Sequence, residues 1–272
     1  MRYMERKCFK AVGCVSALGI GTSGLGGDLW RADTSKDERH LAVLANALAN
    51  GIWVVDTSEI YGGGHAEELV GKALSTFAKE DRDKVVVVTK FWPDNAEKIV
   101  LAAKASARRL GTYIDIYMPH GPLPDICKAV KAFEELVDRG VIRFWGLSNV
   151  DARKIEEARS CAKRHDIAAV ENVYNYINRL DEHEALPYAQ REGILYLAAS
   201  PLARGAVVEN YRIRRIAERL GKTPVQVALR WLMDKPAVVP IPRTTRPEGV
   251  LEFAGAYGWR LPDEYAKELE VR

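Results

Sequence analysis

The sequence has no apolar run near the roughly 20 residues that a membrane-spanning helix requires. Its first ten residues are charged and lack the apolar core of a secretory signal, which predicts a cytoplasmic protein without a membrane partner. The net charge is only +3 over 272 residues. A charge this small, spread along the chain, gives no case for a nucleic-acid partner.

Cysteine and glutamine are also scarce. The four cysteines are Cys8, Cys14, Cys127 and Cys161, and no CxxC spacing indicates a zinc or thioredoxin-like site. Four reduced thiols are expected. Cys8 and Cys14 could face each other across an N-terminal hairpin, however, so a disulfide between them is an open alternative. Gln190 and Gln226 are the only glutamines, and a scarcity of heat-labile amides is typical of thermophilic sources.

What the sequence does contain is a repeated alternation of short apolar runs and longer amphipathic segments. The runs occupy residues 16–22, 53–58, 85–90, 114–120, 144–149, 168–174, 194–200 and 238–242. Such alternation predicts βαβ units, and eight parallel strands close a (β/α)8 TIM barrel. Residues 7–15 predict a short N-terminal β-hairpin ahead of the barrel. No linker or break in composition interrupts residues 1–272, so one domain is expected.

A competing fold is suggested by residues 19–24 (GIGTSG), which match the GxGxxG pattern of dinucleotide-binding Rossmann domains. In that fold a helix opens inside the motif, so that a phosphate rests on the helix N-terminus. Here Gly26 and Gly27 follow, and no helical pattern begins before about Lys36. We therefore interpret the segment as a glycine-rich loop after the first barrel strand.

Polar residues stand at the ends of the predicted strands, where barrel enzymes place their catalytic groups. Asp56 ends the second strand with Tyr61 just beyond it, Lys90 ends the third, and His120 ends the fourth. Each of these alone has a structural explanation, such as a loop cap, rim packing or a solvated strand end. Their occurrence at three successive strand ends indicates instead a shared site at one rim of the barrel.

These four side chains suit the reduction of a carbonyl group. The alkoxide that forms needs a proton, and tyrosine is a reluctant acid unless a nearby ammonium lowers its pKa. Lys90 supplies that ammonium, Asp56 is its counter-ion, and His120 would hydrogen-bond the carbonyl oxygen. Because a proton donor and an oxyanion stabiliser are both present, no metal is predicted. The histidines His40, His65, His165 and His183 are expected on the surface.

Several segments resemble motifs of the aldo-keto reductase family. Residues 56–62 (DTSEIYG) are similar to its DTAxxYG segment, 114–120 (IDIYMPH) to DLYxxH, 146–149 (GLSN) to GxSN, and 88–90 (VTK) carry the matching lysine. The motifs keep the family's order and spacing, and the similarity covers nearly the whole chain. The resemblance implies an NADP-dependent oxidoreductase of the carbonyl reductase or alcohol dehydrogenase type, with Tyr61 as general acid, Lys90 and Asp56 tuning it, and His120 orienting the substrate.

The resemblance also implies a set of cofactor contacts. Residues 200–205 (SPLARG) are similar to the family's SPLxxG loop along the pyrophosphate, and 241–244 (IPRT) to its IPKS segment on the 2′-phosphate. A basic, hydroxyl-rich loop before a helix that starts near Pro247 also suits a phosphate on physical grounds. NADP(H) is therefore favoured over NAD(H). The expected contacts are Gly21, Thr22, Asp56, Ser148, Asn149, Glu171, Ser200, Leu202, Arg204, Arg243, Thr244 and Glu252.

The chain departs from the family pattern around the cofactor. Glu171 replaces a glutamine that contacts the carboxamide, and Ala199 replaces an aromatic that stacks on the nicotinamide, for which Tyr174 is a candidate substitute. Gly249 and Phe253 replace an arginine and an asparagine near the adenosine. None of these changes touches the residues assigned to proton transfer.

The predicted substrate pocket is open. Gly121 follows His120 where many members have tryptophan, and the chain ends soon after its last helical segment. Trp30, Phe91 and Trp92 are the candidates to line the pocket. We expect a monomer that acts on aldehydes or activated ketones.

Two other functions use the same barrel. A regulatory subunit would keep the cofactor but turn over negligibly, which the intact catalytic set argues against. A Schiff-base aldolase would use Lys90, but that chemistry needs a lysine with a depressed pKa, and Asp56 opposes such a shift.

Overall fold

Eight parallel strands form the barrel predicted from the sequence. The computed structural model describes residues 4–77 and 79–271, and their side chains except at 79, 80 and 95–97. A hairpin of β1 (Arg6–Phe9) and β2 (Gly13–Ser16) precedes the barrel, and β4 (Gly27–Asp28) pairs with β5 (Arg31–Ala32) in a rim loop. The barrel strands are β3 (Gly19–Gly21), β6 (Val54–Asp56), β7 (Val86–Phe91), β8 (Ile114–Pro119), β9 (Ile142–Ser148), β10 (Ala169–Val173), β11 (Leu195–Ala199) and β12 (Val238–Pro240).

The strands are hydrogen-bonded in chain order, and the first and last meet to close the sheet. The Gly21 amide donates to the Pro242 carbonyl at 2.9 Å, and Gly21 forms a parallel bridge with Arg243. A Cβ atom at position 19 would lie 2.8 Å from the Ile241 side chain and 2.9 Å from the Val54 carbonyl. Glycine is therefore required where β3 comes this close to both of its neighbours.

Helices surround the barrel, and several begin or end at the capping residues expected from the sequence. Thr223 and Gln226 form the expected capping box, Asp151 caps the helix after β9 by accepting from the Lys154 amide, and Gly221 ends a helix in the left-handed conformation. The helices are α1 (Asp37–Ala49), α2 (His65–Leu74), α3 (Lys79–Arg82), α4 (Ile99–Leu110), α5 (Ile126–Asp138), α6 (Ala152–Cys161), α7 (Ala185–Glu192), α8 (Tyr211–Leu220), α9 (Pro224–Met233), α10 (Pro247–Ala254) and α11 (Asp263–Glu270). None of the helices in the described ranges is long and apolar enough to cross a bilayer.

Two apolar layers hold the barrel together. Inside it, side chains such as Val88, Ile116 and Leu197 pack on one another, and Phe9 and Val15 of the hairpin close the bottom. The larger layer lies between strands and helices. Each fully buried side chain of this kind contributes roughly 1.5–3 kcal/mol. This rigid scaffold leaves the C-terminal strand ends, here called the barrel mouth, free to carry polar groups.

The loop after β3 is not the start of a Rossmann helix. Residues 22–26 form turns, and the first helix begins only at Asp37. His40 of that helix is buried, and its Nδ1 accepts from the Gly26 amide at 3.1 Å. The expectation that His40 lies on the surface is therefore wrong, because this ring ties the glycine-rich loop to α1.

The expectation of four reduced thiols is also wrong, since the structure pairs all of the cysteines. Cys8 and Cys14 lie opposite each other in the register of the hairpin and form a disulfide. Cys127, in the first turn of α5, is bonded to Cys161, the last residue of α6. Residues 34 apart in sequence carry no spacing signal, so only the packing of α5 on α6 shows the second bond.

The disulfides give a stability prediction. Denatured, unreduced protein should show no thiol reactive toward Ellman's reagent, and four such thiols would contradict the pairing. Cys127→Ser should lower the free energy of unfolding by about 3–4 kcal/mol, and Cys8→Ser by about 2 kcal/mol, because the bond that closes the longer loop restricts the unfolded chain more. Urea unfolding of both variants, with and without reductant, measures the two effects.

Candidate active site

The barrel mouth brings together the polar residues expected there. Asp56 is the last residue of β6, Lys90 lies near the end of β7, and His120 directly follows β8. Strand alternation points Val86, Val88 and Lys90 into the barrel, while Val87 and Phe91 face the helices. The same alternation on β10 turns Glu171 inward, where it meets Lys90.

Lys90 is the centre of this site. Its ammonium donates to Asp56 Oδ1 and, at 3.1 Å, to Glu171 Oε2, and the side chain is only 1% exposed. Burial would lower the pKa of Lys90, but the attraction of the two carboxylates outweighs it, so the pKa is raised. Lys90 is therefore a permanent cation, which is the opposite of what a Schiff-base lysine requires.

One ammonium faces two carboxylates in this group of three residues, here called the Lys90 cluster. The cluster therefore holds one carboxylate more than the ammonium can neutralise. Burial and the nearby charge of Glu171 raise the pKa of Asp56 well above its usual value, against the opposing pull of Lys90. The sequence identified Glu171 as a departure near the cofactor but did not show that it touches Lys90. The signal that could have shown this contact is the side-chain alternation along β10, which turns Glu171 into the barrel.

Tyr61 lies beside the Lys90 cluster, in the loop that follows β6. Its amide donates to the Ser58 carbonyl at 3.1 Å, and its nearly buried ring meets the ring of His120 edge to face, with centroids 5.5 Å apart. Burial raises the pKa of the Tyr61 phenol, Lys90 lowers it, and Asp56 raises it. The net shift is upward, so the phenol keeps its proton at neutral pH, and Lys90 is the strongest influence that makes it more acidic.

His120 is a neutral imidazole. Burial and the charge of Lys90 lower the pKa of His120 to about 3. Its Nδ1 lies 2.9 Å from the hydroxyl of Ser58, and among the described residues no hydrogen bond is made by Nε2. A ring held on one nitrogen in this way can offer the other to a substrate oxygen.

The mouth is lined by two of the three expected aromatic residues. Trp92 lies 5.8 Å from the His120 ring, and Trp30 packs edge to face on Trp92 at 5.9 Å, with 56% of Trp30 and 36% of Trp92 exposed. Phe91 does not belong to this set, because its ring is fully buried among the aromatic rings under α5. The structure therefore removes Phe91 from the predicted pocket.

Tyr174, the candidate to replace the missing stacking aromatic, also points away from the mouth. It is fully buried, its hydroxyl donates to Glu182 at 2.6 Å, and its ring packs on Tyr196 and Trp231. Ala199 therefore has no aromatic substitute from this position.

Backbone strain marks the loops around the mouth. Among the described residues, five that are not glycine have a positive φ: Trp30, Asn149, Ser200, Ala203 and Arg204, with φ between 46° and 65°. All five follow barrel strands on the mouth side. Such conformations cost roughly 1–3 kcal/mol each and cluster where binding requires them. The loops after β9 and β11 therefore have the character of a binding surface.

The expected carboxamide contacts lie at the end of β9. Ser148 is buried and donates to the Pro119 carbonyl at 2.7 Å, which ties β9 to β8. The exposed Asn149 donates through its side chain to the His120 carbonyl at 3.3 Å, and its amide donates to the Glu171 carbonyl. These bonds place Ser148 and Asn149 next to His120 and Glu171.

The predicted phosphate loop lies between β12 and α10. Arg243 and Arg246 are exposed, and the hydroxyl of Thr244 bonds the Arg246 amide at 3.1 Å in front of the first turn of α10. A Cβ atom at position 249 would lie 2.5 Å from that hydroxyl, so Gly249 lets Thr244 pack on the helix. Two cations at a helix N-terminus fit an anionic group.

The remaining predicted contacts are spread around the same rim. Gly21 is bridged to Arg243, and Thr22 is buried with a hydroxyl that has no partner in the described chain. Leu202 and Glu252 are half-buried, and Ser200 and Arg204 are exposed. These positions, here called the rim band, lie at or just after the ends of β3, β11 and β12, except for Glu252, which lies in α10.

Comparison with known proteins identifies the relatives of this chain. Residues 17–271 match the model of the Aldo/keto reductase family. Methylglyoxal reductase YeaE of Escherichia coli is 33% identical over 88% of this chain and 85% of its own length. A thermostable aldo-keto reductase, Tm1743, solved with the inhibitor epalrestat, is 35% identical with a TM-score of 0.92, covering 98% of this chain and 99% of its own. An aldo/keto reductase from Klebsiella pneumoniae in complex with NADP and acetate is 30% identical with a TM-score of 0.89, covering 98% and 95%.

The surplus carboxylate of the Lys90 cluster predicts an unusual pH dependence of stability. The unfolded chain releases the Asp56 proton near pH 4, whereas the fold retains it to higher pH because the pKa is raised. The folded protein therefore binds more protons than the unfolded chain above pH 4, and stability falls as pH rises. Burial would remain in Glu171→Gln, but the neighbouring charge would not, so this variant should reduce the loss and raise Tm at pH 7 by about 2–4 °C, with little gain near pH 4.

Thermal unfolding of both proteins across pH 4–8 measures this effect. Glu182→Gln is a control of opposite sign, because bonds from Tyr174 and Arg179 outweigh burial and lower the pKa of Glu182. That variant should lose stability at neutral pH. A Glu171→Gln protein that is less stable than the natural one at pH 7 would contradict the assignment of a surplus charge.

Proposed function

Because the chain belongs to the aldo/keto reductase family, we propose that it reduces aldehydes or ketones to alcohols with NADP(H), using Tyr61 as the proton donor. The observation that carries this proposal is a protonated phenol and a neutral imidazole, in ring contact, beside a permanently charged Lys90. A carbonyl oxygen placed between Tyr61 and His120 would meet two hydrogen-bond donors.

The bound cofactor would supply a hydride to the carbonyl carbon. As negative charge grows on the carbonyl oxygen, His120 Nε2 and the Tyr61 hydroxyl stabilise it, and Tyr61 then gives up its proton to form the alcohol. The ammonium of Lys90 stabilises the phenolate that remains. Asp56 and Glu171 keep this ammonium charged in a buried position. The phenolate regains its proton from solvent before the next turnover.

The rim band, together with the end of β9, would hold NADP(H). Ser148, Asn149 and Glu171 would hold the carboxamide, since they combine a hydroxyl, an amide and a carboxylate next to the catalytic groups. The loop with Ser200, Leu202 and Arg204 would lie along the pyrophosphate, since Ser200 and Arg204 have the left-handed backbone that occurs in anion-binding turns. The remaining proposed contacts are Gly21 and Thr22 at the end of β3, Arg243 and Thr244 on the 2′-phosphate, and Glu252 near the adenosine.

Two relatives support the assignment. The Klebsiella pneumoniae structure was solved with NADP, and the Escherichia coli relative is named as a methylglyoxal reductase. The half-exposed Trp30 and Trp92 add an apolar, aromatic wall to the mouth of this chain. We therefore expect aldehydes with an apolar or aromatic substituent to be the better substrates.

Tyr61→Phe tests the central role. Loss of the phenolic proton should lower kcat for aldehyde reduction by at least about 100-fold, while NADPH still binds, because the ring itself is kept. The assay is NADPH consumption with a panel of aldehydes, repeated with NADH, which should be the poorer cofactor.

Tyr113→Phe is the matched control, since that hydroxyl bonds Asp83 outside the barrel. It should reduce aldehydes at the natural rate. Near-full activity of Tyr61→Phe would mean that another group donates the proton, and no activity of the natural protein on any aldehyde would refute the proposed function itself.

A further inference from the structure

The Lys90 cluster exists in two charge states. Its ammonium carries one positive charge, and Asp56 and Glu171 carry two negative charges when both are ionised. The two carboxyl groups are nearly buried and lie close enough to hydrogen-bond each other when one of them is protonated. With one shared proton the cluster is therefore neutral, and without it the cluster carries a single surplus negative charge inside the barrel.

The surroundings of the cluster do not neutralise this surplus charge. In the described part of the chain, the titratable or charged groups that face the cluster from other segments are His120, Tyr61 and Arg243. His120 is neutral, the Tyr61 phenol keeps its proton, and Arg243 is exposed to solvent in the phosphate loop. The mouth ends of β3, β9 and β11 carry uncharged residues, namely Gly21, Thr22, Ser148, Asn149, Ala199 and Ser200.

Glu171 lies in the uppermost layer of side chains inside the barrel. Its register partner on β9 is Ser148, and alternation along β11 turns the small Ala199 inward on the other side. Since Tyr174 points away from the mouth, neither position 174 nor position 199 offers an aromatic face there. A nicotinamide ring held by Ser148 and Glu171 would therefore border the carboxylates of the Lys90 cluster.

The oxidised and reduced forms of the cofactor differ in charge at that ring. Oxidised nicotinamide is a cation, whereas reduced nicotinamide is neutral. A cation next to the cluster favours its negative state, so the shared proton leaves to solvent when the oxidised form binds. The reduced form exerts no such attraction, and the proton stays. Glutamine at position 171, as in the family motif, would leave one carboxylate opposite one ammonium and therefore no surplus charge.

We propose that Glu171 is a specificity-determining residue that makes the site favour the oxidised over the reduced cofactor as pH rises, because the Lys90 cluster exchanges its shared proton for the positive charge of the ring. The inference rests on the proposed function for the identity of the cofactor. The overall equilibrium of the reaction is not altered. What changes with pH is the form of the cofactor that occupies the site, and with it the ease of alcohol oxidation relative to aldehyde reduction.

Equilibrium binding of the two cofactor forms tests this inference without turnover. Isothermal titration calorimetry with NADP+ and with NADPH, at pH 6, 7 and 8 and in buffers of different ionisation enthalpy, gives both the Kd and the number of protons released. The ratio of the Kd for NADPH to the Kd for NADP+ should rise by about tenfold from pH 6 to pH 8, since one linked proton changes an affinity by at most about tenfold per pH unit. The 2′-phosphate is common to both forms, so its own titration cancels in the ratio.

Three variants locate the proton. Glu171→Gln should change the Kd ratio by less than about twofold over the same pH range, because the linked proton is gone. Glu192→Gln is the matched control, since that carboxylate bonds Arg159 and Arg191 at the end of the outer helix α7, and it should keep the natural ratio. Tyr61→Phe should also keep the natural pH dependence, because the proton comes from the carboxyl pair and not from the phenol.

The outcomes separate this inference from the proposed function. If both cofactor forms bind with a ratio that does not change with pH, the role of Glu171 fails while the proposed function stands, and this result needs no variant. A natural pH dependence in Glu171→Gln, or its loss in Tyr61→Phe, would also overturn the role of Glu171. If neither form binds at any pH, the inference and the proposed function fail together.

Discussion

A fully buried ammonium is the constraint on which the site depends. An isolated charge in the interior of a barrel costs several kcal/mol, so Lys90 is stable there only with carboxylates within hydrogen-bond distance. Asp56 and Glu171 provide them from the strand before and from a strand on the far side of the barrel. Burial lowers the pKa of His120, and the fixed positive charge of Lys90 lowers it further; the same charge opposes the rise in the pKa of the Tyr61 phenol that burial causes. The ionisation of the mouth therefore depends on burial together with this one ion cluster.

The closed, apolar end of the barrel and its candidate functional groups lie at opposite ends of the strands. The bottom of the barrel is closed by a disulfide-bonded hairpin and apolar side chains, while the mouth carries the strained loops and the polar groups. Parallel strands all end at the same edge, so residues far apart in sequence meet there without any long loop. Ser58 shows how fine this placement is, because one hydroxyl bridges the end of β7 and the residue after β8.

The architecture of the barrel was predictable because strand periodicity, helix caps and turn glycines are local signals. The eight strands, the hairpin, the Thr223 capping box and the late start of the first helix all follow from them. The four side chains Asp56, Tyr61, Lys90 and His120 were predictable because strand ends share one rim, and the structure does place them together.

The errors came from side-chain direction and from partners distant in sequence. Phe91 was expected at the mouth, yet alternation along β7 already requires it to face outward once Lys90 faces inward. The same rule applied to β10 turns Tyr174 away from the mouth when Glu171 faces Lys90. The Cys127–Cys161 bond and the contact between Ser58 and His120 join segments whose proximity only the packed structure shows.

The account depends most directly on the charge of Lys90. Lys90→Met removes the ammonium and keeps a side chain of similar length. The rate of NADPH consumption with an aldehyde is compared between this variant and the natural protein, and NADPH fluorescence measures cofactor binding to each. We expect kcat to fall by at least about 100-fold with NADPH still bound. A variant that reduces aldehydes at nearly the natural rate would show that the buried ammonium does not drive the chemistry at this mouth.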